Sequence, residues 1–289
     1  MGNLYSRMHK NLSLSIHKSA LSLEEVIPMK ALILAAGVGK RLKPITDRIP
    51  KTLIKIEDKP ILGHILTNIK ECGIEDVLIV TGYRDELIHK YVGNGSKWGL
   101  NVNYCHNKSY NTTENIFSVN LASKDLRDDD FILINADDLF SPFILWKLKE
   151  AQGDIVLAVD NQGTVGTEEM KVYTDGNGRI TAVSKELDPV ESYGEDIGII
   201  KFSKSGGRAF LDTIKRIIRE RGYHFYFQEA IHDLSIKEYP VTYINVGNEP
   251  WIEIDDHFDL KWAKTPMIHM IKERLKSMAK GIKSLRKSK

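Results

Sequence analysis

The stretch Lys30-Ala31-Leu32-Ile33-Leu34-Ala35-Ala36-Gly37-Val38-Gly39-Lys40-Arg41-Leu42-Lys43-Pro44 decides the fold. The unbroken apolar run Ala31 to Ala36 suits a strand buried on both faces rather than one with a wet side. Two glycines then open a turn whose backbone N–H groups carry little side-chain bulk, an arrangement that cradles phosphate. Leu34, Ala35 and Ala36 leave room for a flat base against the backbone. Arg41 adds a forked cation suited to phosphate oxygens. Two other glycine loops are excluded. Leu42 stands where the third glycine of a dinucleotide-binding loop belongs. A P-loop needs four residues between its glycines and a Ser or Thr after the Lys, and here Arg41 follows Lys40. A second cation lies in Pro50-Lys51-Thr52-Leu53, ten residues beyond Arg41. The two cations bracket a triphosphate; the competing reading is a plain strand-to-helix turn with surface charges.

Outward from this loop, apolar strands alternate with helices. Asp76 to Thr81, Leu100 to Cys105 and Phe131 to Asn135 read as strands. Helices are expected from Pro60 to about Cys72, from Arg84 to Val92 and from Glu114 to Ser123. Ser141-Pro142 supplies an N-cap and a first-turn proline for another. This alternation predicts an α/β fold with a mostly parallel sheet covered on both faces. After residue 150 the strands Ile155 to Val159, Met170 to Thr174 and Ile180 to Ser184 follow, the last two joined by the turn Asp175-Gly176-Asn177-Gly178. Helices near Gly206 to Arg221 and Phe227 to Leu234, and a strand Tyr239 to Asn245, complete an extension of the same sheet.

Asn135-Ala136-Asp137-Asp138 follows a buried strand, where parallel sheets gather their ligands. Carboxylates there suit magnesium, which takes oxygen donors and neutralises phosphate charge. Asp137 is the expected ligand; Asp138 fits better as a cap for the helix at Ser141.

The residues Leu34 to Leu53 resemble the signature L-A-A-G-x-G-x-R-(L/M)-x-P…P-K-x-L of the sugar-phosphate and alcohol-phosphate nucleotidyltransferases. Trp251-Ile252-Glu253-Ile254-Asp255-Asp256, with Asp259-Leu260 and Ala263, resembles the W-x-E-I-D…D-L…A ending of that family. Tyr110 to Ser118 is similar to the T-N-N-I-Y-S segment, and Gly194 to Ser203 to the G-E-x-I-G-I-x-K-F-S segment, of phosphocholine and inositol-1-phosphate cytidylyltransferases. The resemblance covers about residues 30 to 263 and implies a Rossmann-like mixed sheet of the nucleotide-diphospho-sugar transferase type.

It further implies a reaction: a nucleoside monophosphate, CMP from CTP, passes to a small phosphorylated alcohol such as inositol-1-phosphate or phosphocholine, with release of pyrophosphate. Gly37, Gly39 and Arg41 hold the triphosphate, and Lys51 lies near the α-phosphate. Leu34, Ala35, Ala36, Thr81, Gly82, Thr113, Asn115 and Ser118 are the remaining expected nucleotide contacts. Asp137 and Asp255 hold Mg2+, with Glu253 a neighbour and Asp256 a helix cap. Lys185, Glu195 and Asp196 face the acceptor. Two departures are visible: Lys40 replaces a frequent Ser or Thr, and Glu114 replaces the first Asn of the base-proximal segment. The rival functions are a sugar-1-phosphate nucleotidyltransferase using UTP, dTTP or GTP, and a non-catalytic nucleotide-binding subunit of the same fold.

The bulk numbers agree with a globular enzyme. Of 289 residues, 42% are hydrophobic and 28% charged, enough to build a core. The net charge of +2 gives no global field that argues for nucleic acid or against it, and no nucleic-acid partner is expected. Cys72 and Cys105 make no disulfide framework, so a reducing, cytoplasmic setting is the expectation. Residues 1–28 read as an N-terminal extension, with Met29 an alternative start; Met1-Gly2-Asn3-Leu4-Tyr5-Ser6 also fits an N-myristoylation pattern. Residues 29–263 read as the nucleotidyltransferase domain. From Lys264 to Lys289, nine Lys/Arg face one Glu, a net +8, leaving −6 on the rest. In that segment Ile268, Ile271, Leu275, Met278, Ile282 and Leu285 make one apolar stripe. A basic amphipathic helix over 264–289 is therefore expected. It would pack on its own domain or a second subunit, lie on an anionic membrane surface, or remain solvated.

Overall fold

The computed structural model describes residues 29–276; the N-terminal extension and residues 277–289 lie outside the described residues. Strand β1 (Met29–Ala35) sits in the middle of the sheet. It pairs in parallel with β4 (Asp76–Thr81) on one side and β6 (Asp130–Asn135) on the other. Alternation along β1 feeds two cores at once. Ala31, Ile33 and Ala35 join one buried cluster, and Leu32 joins the other. That is why the strand reads as a continuous apolar run.

Helix α1 (Ile61–Glu71), α2 (Asp85–Val92) and α4 (Pro142–Glu150) supply Ile65, Ile88 and Leu145 to the first cluster. Helix α3 (Asn115–Leu126), α5 (Lys204–Arg221) and α6 (Gln228–Ile236) supply Val119, Ile214 and Ile231 to the second. The expected α/β sandwich, helices on both faces of a mostly parallel sheet, is the observed one. Details differ by a residue or two. Pro60 precedes α1 rather than opening it, ending a small hairpin of β2 (Lys55–Ile56) and β3 (Lys59–Pro60). Glu114 likewise flanks α3 rather than belonging to it.

Among the described residues the sheet has nine strands, in the order β10-β9-β11-β6-β1-β4-β5, with β8 and β12 joined beyond β11. Here β5 is Asn101–His106, β8 Ile155–Asp160, β9 Lys171–Thr174, β10 Ile180–Ser184 and β12 Val241–Asn245. Strand β11 (Gly194–Phe202) runs antiparallel to β6 and is the longest of all. Strand periodicity does not announce it, because charges at Glu195 and Asp196 and two glycines interrupt its apolar run. Gly198 takes φ +73, and a Cβ there would meet Asn135 Nδ2 at 2.1 Å. The same stretch carries a register shift against β8, a bulge that turns its N-terminal half toward β9. Two three-residue strands, β7 (Asp138–Phe140) and β13 (Trp251–Glu253), form a separate antiparallel ribbon above the sheet.

Helix α7 (His257–Trp262) starts on a capping box, Asp256 accepting from the Phe258 and Asp259 amides while Asp259 returns to the Asp256 amide. It continues through a π turn at Ala263–Met267, with Pro266 inside, and stays helical to the end of the described residues. Met267, Ile268 and Ile271 are buried in the first core cluster, and Leu275 packs against it. The described part of the apolar stripe thus packs on its own domain. The part left for a second subunit or a membrane surface, Met278, Ile282 and Leu285, lies outside the described residues. Among the described residues no helix is long and apolar enough to cross a membrane.

Candidate active site

The C-terminal ends of β1, β5 and β6 open into one cleft of about 840 Å³. The loop after β1 lines one wall with Leu34 to Arg41. Gly39 has φ +67, and a Cβ on it would meet Lys51 Cβ at 2.8 Å. The glycine therefore does two things: it takes the left-handed turn, and it lets the Lys51 stem pass beneath the loop. Lys51 sits on a short 3₁₀ turn (Lys51–Leu53) after Pro50 and is almost fully buried.

The Lys51 ammonium lies 2.8 Å from Asp137 Oδ2 and 2.6 Å from Asp255 Oδ1. Arg41 pairs with the other oxygen of Asp255. Burial pulls the Lys51 pKa down, but Asp137 and Asp255 together outweigh it and leave it raised. Burial likewise lifts Asp255, and Lys51 and Arg41 overcome that lift and hold it below the usual carboxylate range. The ribbon explains how two residues so distant in sequence meet. Glu253 pairs with Asp138 across β13 and β7, and the Ile254 amide donates to the Asp137 carbonyl at 3.1 Å. Asp137 and Asp255 then flank the same end of the ribbon.

Glu253 completes this group: one oxygen each from Asp137, Glu253 and Asp255 lies within 4.8 Å of the others. Burial first, then the Asp137 and Asp255 charges, push the Glu253 pKa up. Three hard oxygen donors of this kind fit Mg2+ or Mn2+ and suit no softer metal as well. Asp138 is not a helix cap. Ser141 fills that role, accepting from the Phe143 amide. The Asp138 side chain is 1% exposed, Oδ2 has no partner, and burial drives its pKa well up. It points into the protein, whereas Asp137 lines the cleft.

Thr113, Asn115 and Ser118 line the cleft opposite the glycine loop. Ser118 Oγ accepts from Asn107 Nδ2 at 3.1 Å, and Asn115 Oδ1 accepts from the Phe227 amide at 2.8 Å. Asn107, buried just after β5, also accepts from the Ser109 amide and so orders the 107–113 loop. Thr81 and Gly82 do not line the cleft. Thr81 is fully buried and Gly82 packs against Ala36, with 2.8 Å between an added Cβ and the Ala36 carbonyl. They support the wall rather than face the space.

The far half of the cleft holds Lys185, Glu195 and Asp196, as the sequence reading groups them. The Lys185 ammonium lies 5.1 Å over the Tyr226 ring. Asp196 is buried and tied down, accepting from Gln228 Nε2 at 3.0 Å and the Gly198 amide at 3.2 Å. Buried Lys171 donates to the carbonyls of Thr167 (2.8 Å), Glu169 (3.2 Å) and Lys185 (2.6 Å), and so shapes this half from below. Sequence reasoning missed Asn107, Glu168, Glu169 and Gln228 as cleft residues; none belongs to a spaced motif.

Burial, then Glu169, Asp160 and Asp196, raise Glu195 to about 7. Its folded pKa thus exceeds its unfolded one. Between the ordinary glutamate value of 4.5 and about 7, folded Glu195 keeps a proton that the unfolded chain releases. Stability falls as pH rises through that window. In Glu195→Gln the fall in Tm between pH 5 and pH 8 should shrink; an unchanged slope would show that Glu195 titrates normally.

Comparison with known proteins agrees with this geometry. Residues 30–157 match the family described as nucleotidyl transferase. The chain is 27% identical over 252 residues to CMP-5'-(3-aminopropyl)phosphonate synthase of Streptomyces rubellomurinus, covering 83% of this chain but 39% of that protein. It is 28% identical over 230 residues to D-glycero-alpha-D-manno-heptose 1-phosphate guanylyltransferase of Aneurinibacillus thermoaerophilus, covering 73% and 94%. The fold matches the inositol-1-phosphate CTP transferase from T. maritima with a TM-score of 0.68 at 23% identity, covering 84% and 96%. Residues 30–157 thus carry the match to the nucleotidyl transferase family, in the stretch whose motifs resemble it, and the chain spans under half the length of the Streptomyces relative.

Proposed function

We propose that the protein transfers CMP from CTP to a small phosphorylated alcohol and releases pyrophosphate. The observation that carries the nucleotidyl-transfer reading is the meeting of Lys51 with Asp137 and Asp255 under a glycine loop and Arg41. A divalent cation held by Asp137 and Asp255, with Glu253 beside them, would neutralise charge on the phosphates. Lys51 offers a buried ammonium to the α-phosphate, where charge concentrates in transfer. Arg41 and the amides of the Gly37–Gly39 loop restrain the departing pyrophosphate. The acceptor's phosphate oxygen is already ionised at neutral pH, so no general base is needed. The rate comes from positioning and charge neutralisation.

Cytosine preference is supported by the Tyr110–Ser118 resemblance and by the CMP-linked product named for the Streptomyces relative; the guanylyltransferase relative marks the alternative. For the acceptor, Glu195 and Asp196 suit the hydroxyls of a polyol phosphate such as inositol-1-phosphate, and Lys185 its phosphate. A second reading rests on one observation: among the described residues, Glu168, Glu169, Glu195 and Asp196 stand against the one Lys or Arg, Lys185, in this half of the cleft. That imbalance, with Tyr226 and Trp251 nearby, also suits an acceptor with an amine or quaternary ammonium, such as phosphocholine. The test is incubation with Mg2+, each of CTP, UTP, dTTP and GTP, and a set of phosphorylated polyols, sugars, amino alcohols and aminoalkyl phosphonates, with products identified by mass. A CMP adduct of an alcohol phosphate or a phosphonate is expected. A UMP, dTMP or GMP adduct of a sugar phosphate would replace this assignment.

A further inference from the structure

The basic C-terminal segment reaches the acidic centre through one buried carboxylate. Glu249, 4% exposed, lies between β12 and β13. It accepts from Arg274 Nη2 at 2.5 Å and Nε at 3.1 Å, and from Ser141 Oγ at 2.9 Å. Ser141 directly follows β7, and its amide donates to the Pro250 carbonyl at 2.9 Å, directly before β13. The Arg274 guanidinium also lies 5.6 Å from the ring centre of Phe143, at the start of α4. Arg274, Glu249 and Ser141 therefore pin one end of the β7–β13 ribbon. Its other end carries the Asp138–Glu253 pair and, just beyond, Asp137 and Asp255.

A ribbon of two three-residue strands is too short to hold its own register. A slip of one residue would turn Glu253, and with it Asp255 two residues on, away from Asp137. We propose that Arg274 is a positioning residue for the metal centre: through Glu249 and Ser141 it holds the β7–β13 register that brings Asp137, Glu253 and Asp255 together. This assignment rests on reading those three carboxylates as a metal site. Without Arg274 the Glu249 carboxylate is buried with no cation. It must then move toward water, drawing the 249–250 turn with it. The first turns of the basic segment thus serve the reaction centre, in addition to packing on the core.

The test uses the full chain and Mn2+ binding in the presence of CTP, read by water proton relaxation, at a temperature where circular dichroism shows each variant folded. Arg274→Met should weaken Mn2+ binding by about 10–100-fold, as loss of outer partners of metal ligands does. Arg274→Met with Glu249→Gln should recover most of that loss, because the buried charge is gone and the Ser141 hydrogen bond survives. Lys276→Met, whose ammonium pairs only with Glu273 among the described residues, should bind Mn2+ as the wild type does. Unchanged Mn2+ affinity in Arg274→Met, with only a lower Tm, would overturn the proposal and leave Arg274 a purely structural residue. A wild-type chain that binds no Mn2+ with CTP would remove the metal site itself, and this proposal with it.

Discussion

Lys51→Met should lower the rate of nucleotidyl transfer by at least about 10²–10³-fold, the scale of losing one preorganised charge at a transition state. Methionine fills most of the lysine's volume, so the loop above it should keep its shape. The Gly39 turn packs on the Lys51 stem, which methionine largely retains. A second signature accompanies the loss. Lys51 now neutralises Asp137 and Asp255 from within, at 2.8 and 2.6 Å. Without it the three carboxylates repel one another, and Mn2+ without nucleotide should bind more tightly to the variant than to the wild type. Initial rates and Mn2+ titration read the two effects separately. A variant that is slow yet no better at binding Mn2+ would mean that Lys51 does not compete for those carboxylates.

Asp255→Asn should be equally damaging, while Asp256→Ala next to it should be nearly silent in catalysis. Asp255 is the counter-ion of both Lys51 and Arg41 and one of the three clustered carboxylates. On the proposed reading its loss removes a metal donor and leaves both cations without their shared partner, so a fall of about 10²-fold or more in kcat/KM is expected. Asp256 instead caps α7, with Oδ1 2.7 Å from the Phe258 amide and 3.0 Å from the Asp259 amide. Its removal should cost about 1 kcal/mol of stability, seen as a lower Tm with kcat/KM intact. If the two variants lost activity alike, the division of labour between these neighbouring carboxylates would be wrong.

That contrast also shows how far the sequence could be read. The glycine loop, Arg41 and Lys51 were legible because each is a local motif at fixed spacing, and the parallel strands because burial on both faces leaves an unbroken apolar run. The pairing of Asp137 with Asp255 followed only from family resemblance, since no local rule joins two ribbon strands of three residues each. Asp138 was misread as a cap: nothing local in the Asp-Asp pair marks that one carboxylate lines the cleft and the other is buried in the protein. Strand β11 escaped the strand reading because its glycine bulge and two carboxylates, which line the far half of the cleft, break the strand pattern. The apolar stripe near the C-terminus was visible, but its role in carrying Arg274 to Glu249 was not, because that contact depends on where the π turn sets the helix down.

The most direct measurement of the central claim is pyrophosphate release from a nucleoside triphosphate with Mg2+ and a phosphorylated acceptor, run in parallel on the wild type and Asp137→Asn. The account predicts steady, acceptor-dependent pyrophosphate from the wild type and almost none from the variant, with both chains equally folded. Equal release from the two chains would contradict it, because the reaction would then proceed without the carboxylate to which Lys51 is tied.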